Sequence, residues 1–267
     1  MELKIEQGRI ESSAADTIIV NLFEGVTTPG GATGAVDRTL GGAISDLIAG
    51  GDLKGKSGEV AVLYPRGAIG ARRVLVVGLG KAEAFTLEGV RRASAAAIKR
   101  ARDLNAGHVA TIVHGAGIGG LDAAAAAQAT VEGALLATYR FAAQKKQEAV
   151  NEIASLTIVE HDAGRLDALR QGAALGEAVA GGVALARDLV NLPPNMATPT
   201  RLAEQARHIA AERGLGVTIG DRAWAAERDM GAFLAVAQGA GEPPAFIVLE
   251  HNAGRADLPA IVPVGKG

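Results

Sequence analysis

Two glycine-rich stretches and five histidines are the places where this sequence could do chemistry. Between Gly50 and Ser57, GGDLKGKSGEV matches the pattern G-x-x-x-x-G-K-S/T, in which backbone N–H groups and a lysine cradle phosphates. Such a loop works when it follows a strand and opens a helix, because the free amides and the helix dipole then converge on the anion. Here the order is reversed. LGGAISDLIAG before it has helical periodicity, and GEVAVLYPRG after it alternates like a strand and breaks at Pro65. Lys56 is therefore expected in a helix-to-strand turn with no part in nucleotide hydrolysis. The second stretch, HGAGIGG, spaces Gly115, Gly117 and Gly120 as G-x-G-x-x-G between the strand pattern HVATIVH and a helix. A dinucleotide unit also needs an acid about 20 residues on, at the end of the next strand. At that distance the chain is still helical, Glu132 is a helix residue, and the next strand pattern ends near Glu160. A tight turn into helix packing is expected instead.

The remaining polar candidates disperse. His108 and His114 share one face of a strand pattern, but six residues at about 3.3 Å each hold them roughly 20 Å apart, too far to share a metal; both are expected to flank the strand. His161, His208 and His251 form no H-E-x-x-H pair, and no serine sits in G-x-S-x-G. Arg91, Arg92, Lys99, Arg100 and Arg102 make one helix basic, which is expected to be a solvated face. The absence of cysteine excludes disulfides, thiolate zinc sites and cysteine nucleophiles. With 27 basic and 29 acidic side chains there is no global field to attract nucleic acid or an anionic membrane, and neither is expected as a partner. The start, MELKIEQGRIESS, is charged, and no apolar run approaches the roughly 18 residues that span a bilayer. A cytoplasmic chain is expected.

These residues are carried by alternating elements. Strands are expected at Thr17 to Asn21, Val60 to Tyr64, Arg73 to Val77, His108 to His114 and Leu156 to Glu160. Helices are expected at Val36 to Ala49, Leu87 to Leu104 and Leu121 to about Lys146. Strands alternating with helices predict an α/β domain with a largely parallel sheet over residues 1–162. RLDALRQGAALGEAVAGGVALARDLVN then predicts an interdomain helix over 163–192, ended by Pro193 and Pro194. Its glycines at 172, 176, 181 and 182 would admit another backbone closely. A second α/β pattern occupies 193–267: helix Pro199 to Arg213, strand Val217 to Ile219, helix Ala223 to Arg228, and two apolar strands in FIVLEH and PAIVPVGKG. This second domain is expected to be incomplete, being short for a domain and ending on a strand.

From Ala186 on, ARDLVNLPPNMATPTRLAEQA, MGAFLAVAQGAGEPPAFIVLEH and AIVPVGKG follow in an order that resembles the leucyl aminopeptidase family. Earlier, VLVVGLGKAEAFTLEGVRRA and VEGALLATYRF are similar to that family's amino-terminal domain, so the resemblance spans nearly the whole chain. DTIIVNLFEGVTTPGGATGAVDRTLGG also resembles macro domains, whose fold the family's first domain shares. The resemblance implies a macro-like amino-terminal α/β domain, a linking helix and the start of a catalytic domain.

It further implies a cytoplasmic homohexameric enzyme that removes amino-terminal residues from peptides using two divalent ions, manganese or zinc. Of its site residues, only the lysine of V-G-K-G, here Lys266, is implied as a metal ligand. No catalytic or cofactor-binding residue is implied within the chain. The family pattern continues into I-T-F-D-S-G-G and, later, N-T-D-A-E-G-R, beyond Gly267. The 267-residue chain alone is thus expected to be an inactive fragment that binds no metal. Ala240, His251 and Pro263 stand where the family commonly has serine, tyrosine and an aliphatic residue. The alternative, from the macro resemblance, is a nucleotide or ADP-ribose binding module without peptidase activity.

Overall fold

The computed structural model of the chain describes residues 1–117, 119–141, 152–252, 254–255 and 257–266. Two compact units are present, Met1–Arg187 and Asp188–Gly267. The first is built on strands β1 (Glu2–Gln7), β2 (Thr17–Phe23), β3 (Val60–Leu63), β4 (Arg73–Gly80), β5 (His108–Thr111) and β6 (Ser155–Glu160), in spatial order β1-β6-β5-β2-β4-β3. All neighbours run parallel except the β3 and β4 pair. The central strands are buried on both faces and read as apolar runs, as a covered parallel sheet requires.

Helices cover both faces. α1 (Gly31–Thr39) and α2 (Ala43–Ala49) bring Val36 and Ile44 onto Ile18, Val20, Val74 and Val76. On the other face, α3 (Leu87–Asp103) and α4 (Ala123–Thr138) set Ala97, Ile98 and Ala134 against Ile19, Leu75, Val77 and Leu156. α5 (Leu166–Asn191) lays Leu169 and Ala173 against Ala127 and Val131 of α4.

Several expectations are corrected. The helix expected over Val36 to Ala49 is two helices, because Gly41 and Gly42 adopt φ of 65° and 92°, which break the right-handed path. The strand expected to reach His114 ends at Thr111. The helix expected to reach Lys146 ends at Thr138, and its last part lies outside the described residues. β1 was not expected: ELKIEQ is charged and only Leu3 and Ile5 are partly covered, as befits an edge strand.

The second unit holds α6 (Pro199–Arg213), β7 (Gly216–Gly220), α7 (Arg222–Ala226), α8 (Gly231–Val236) and β8 (Phe246–Glu250). α6 starts where Thr198 accepts the Arg201 N–H and ends at the left-handed Gly214, the two caps its sequence offers. β7 and β8 pair antiparallel, and they form a sheet of two strands. The strand expected in PAIVPVGKG is absent: the described residues from 259 to 266 form no ladder, having no partner strand among the described residues.

Candidate functional site

The GGDLKGKSGEV stretch lies between α2 and β3, the order its flanks predict. Gly55 takes φ 72° and its carbonyl accepts the Gly80 N–H at 2.8 Å, which docks the turn on the end of β4. The Glu59 carboxylate accepts the backbone N–H groups of Lys54 and Lys56 at 3.1 and 3.0 Å. The chain's own anion therefore occupies these amides. Lys56 is exposed and no helix N-terminus stands behind it.

The second glycine stretch turns from β5 toward α4, with Gly115 and Gly120 at φ 81° and 66°. Leu121 N–H donates to the Gly115 carbonyl at 3.1 Å, and the Arg165 guanidinium donates to the Ala116 carbonyl. This turn is one wall of a cleft of about 690 Å³ beyond the ends of β2, β5 and β6. The first turn of α1 forms another wall, and Ile10, Phe23 and Val26 contribute apolar surface.

His114, next in the chain to the lining residues Val113 and Gly115, is only 1% exposed. Asn21 Nδ2 donates to its Nδ1 at 3.0 Å, so the ring proton sits on Nε2, and burial pushes its pKa down to about 4. The Asn21 carbonyl in turn accepts the Thr33 hydroxyl at 2.7 Å. The strand pattern predicts His114 at a strand flank, and its burial has no signal beyond the apolar run around it. The other histidines are scattered: His108 pairs with Ser155 at 2.8 Å, while His161, His208 and His251 are exposed.

Arg91 departs from the solvated face expected of the basic helix. Its Nε donates at 2.5 Å to Glu132, which is 4% exposed and also accepts from Gln128 at 2.7 Å. Glu132 is thus a buried tie between α3 and α4.

Lys266 lies in the second unit, exposed, after the apolar residues Ile261, Val262 and Val264. Among the described residues no group of three or more His, Cys, Asp or Glu side chains could hold a metal ion. Two divalent ions need several converging anionic donors, so the described residues do not by themselves fit such a centre.

Comparison with known proteins places this arrangement. Residues 19–148 match the cytosol aminopeptidase family, N-terminal domain, and residues 184–267 match the cytosol aminopeptidase family, catalytic domain. The chain belongs to the cytosol aminopeptidase family. A probable cytosol aminopeptidase of Roseiflexus castenholzii is 39% identical over all of this chain and 52% of its own length. The cytosol aminopeptidase of Pseudomonas aeruginosa is 37% identical over all of this chain and 54% of its own. This member of the cytosol aminopeptidase family thus spans about half the length of the curated relatives it matches.

Among solved structures, a tomato leucine aminopeptidase variant superposes with a TM-score of 0.78 at 27% identity, covering 93% of this chain and 50% of its own. The bottromycin maturation enzyme BotP in complex with Mn superposes with a TM-score of 0.68 at 29% identity, covering 88% and 45%. No helix among the described residues is long and apolar enough to cross a membrane.

Proposed function

We propose that this chain, together with the second half that its relatives carry, forms a two-metal leucyl aminopeptidase that removes amino-terminal residues from peptides. The observation that carries this reading is the succession of the family's N-terminal and catalytic domains along one chain. In this reading residues 1–162 are the macro-like domain, 163–192 the connecting helix and 193–267 the first part of the catalytic domain. Lys266 donates its amine to one of two divalent ions, manganese or zinc. A lysine can do so only when neutral, which requires nearby cations and an apolar setting to depress its pKa strongly. The apolar run before Lys266 is compatible with that setting, but the carboxylates that would hold the ions are not among the described residues. The 267-residue chain alone is therefore proposed to be inactive and metal-free. A homohexamer and a cytoplasmic location belong to the same reading, the latter supported by relatives named cytosol aminopeptidases.

Hydrolysis of leucine p-nitroanilide tests it. A polypeptide extended to the full length of the relatives should hydrolyse the substrate when supplied with manganese, and Lys266→Ala should abolish that activity. The 267-residue chain should show none. Activity in the short chain that is lost with Lys266→Ala, or an extended polypeptide that folds, binds manganese and stays inactive, would contradict the reading.

A further inference from the structure

α3, the residues at the end of α4, and α5 meet at a second cleft of the first unit, about 560 Å³ in volume and apart from the one at the ends of β2, β5 and β6. Its lining residues all belong to Met1–Arg187. Four of them are cations drawn from three segments: Lys99 and Arg102 from α3, Arg140 just beyond α4, and Arg187 from α5. Lys99 and Arg102 stand three residues apart, which puts both on one face of their helix. Asp103 is the one carboxylate in the lining, and it lies 3.9 Å from Arg102. The volume is within the range that encloses a small ligand.

Composition does not explain this concentration of charge, since the chain carries 27 basic and 29 acidic side chains. Elsewhere in the same unit arginines lie against acids: Arg9 with Glu11, Arg91 with Glu132, Arg92 with Glu88 and Arg170 with Asp167. Lys99, Arg140 and Arg187 have no carboxylate partner among the described residues, so like charges gather in one cleft. Helix ends account for part of that charge. α3 and α4 both end here, and the carboxyl end of a helix carries about half a negative charge. The two ends offset about one of the cations and Asp103 offsets another, which leaves about two positive charges. Arg187 is also held without an acid: its guanidinium carbon lies 5.3 Å from the centroid of the Tyr139 ring. Stacking fixes the planar group and leaves its N–H edges to a further acceptor. Leu136 and Ala137 add little apolar surface, so the lining offers charge and no platform for a large ring.

We infer that this cleft binds a compact anion with at least two closely spaced acidic groups, a condensed phosphate or a polycarboxylate, held by Lys99, Arg102, Arg140 and Arg187. Guanidinium forks and an ammonium group converging from three segments suit several anionic oxygens close together. A nucleic acid strand is a poorer match, because it calls for cations strung along a groove with aromatic faces between them. The site is independent of the aminopeptidase reading, which its failure would leave intact.

Isothermal titration of the 267-residue chain at low salt, with tripolyphosphate and separately with citrate, tests the assignment and distinguishes its two sources. At least one of them should bind about tenfold or more tightly than orthophosphate, which brings a single acidic group. The bound anion should raise the unfolding temperature, as a ligand of the folded state does. Lys99→Gln and Arg140→Gln, at exposed positions, should each weaken binding about fivefold or more. Arg100→Gln, exposed on the same helix but outside the lining, should bind like the parent chain. Without anion, Lys99→Gln should be no less stable than Arg100→Gln, since it removes a charge that its neighbours repel. No binding of either anion at millimolar concentration, orthophosphate bound as tightly, an equal loss with Arg100→Gln, or a duplex oligonucleotide preferred to both anions would each overturn the inference.

Discussion

Asn21 and His114 are 93 positions apart, yet their side chains share a hydrogen bond at 3.0 Å where β2 and β5 end. Both segments carry strand patterns, but the pair is not legible in them, because HVATIVH carries no mark of where the ladder stops. Burial makes His114 sensitive to acid. Its folded imidazole titrates at about 4 and an ordinary one at 6.5, so between those values the unfolded chain holds more protons. Its contribution to stability is complete above pH ~6.5 and is lost as pH falls toward 4, about 3 kcal/mol in all. Urea unfolding midpoints measured from pH 7 to 4 should fall more steeply for the parent chain than for His114→Gln. Equal slopes would show that His114 is not buried in neutral form.

At the scale of elements, α4 and α5 were legible as helices, but their contact was only half legible. Four glycines of α5 suggested a close approach, and the structure divides them. A Cβ at Gly172 would stand 1.9 Å from the Ala124 carbonyl oxygen, and one at Gly176 would stand 2.7 Å from that of Gln128. Nothing lies within 4 Å of a Cβ built at Gly181 or Gly182. The same residue type therefore acts in opposite ways along one helix. Gly172→Ala should destabilise the fold by about 1–3 kcal/mol or more through overpacking. Gly181→Ala should stabilise it by about 0.5–1 kcal/mol through helix propensity. Thermal unfolding distinguishes the two, and a loss at both positions would mean that the second half of α5 is also tightly packed.

At the scale of the whole molecule, the two units differ in how well they bury their apolar residues. The first covers both faces of a sheet of six strands. The second has a two-stranded sheet, and Ile261, Val262 and Val264 are 85%, 76% and 91% exposed. A two-strand ribbon leaves unpaired edges that invite other chains. The 267-residue chain should therefore self-associate, with an apparent mass in analytical ultracentrifugation that rises with concentration. Substituting Ile261 and Val264 with lysine should reduce that association. A monodisperse monomer that unfolds in one cooperative step would contradict the prediction.

The sequence by itself determined the alternation of strands and helices, the rejection of the GKS turn as a phosphate loop and the family blocks ending in VGKG. Each rests on local periodicity, on cap residues or on short motifs, which act over one or two turns of chain. Only the tertiary structure decided that β1 closes one edge of the sheet, that Gly41 and Gly42 split a helix, that Arg91 reaches a buried Glu132 and that PAIVPV joins no ladder among the described residues. Those outcomes depend on which distant segment lies alongside. A strand needs a partner, a glycine's value depends on what approaches it, and a charge is buried only where another element brings its counterion.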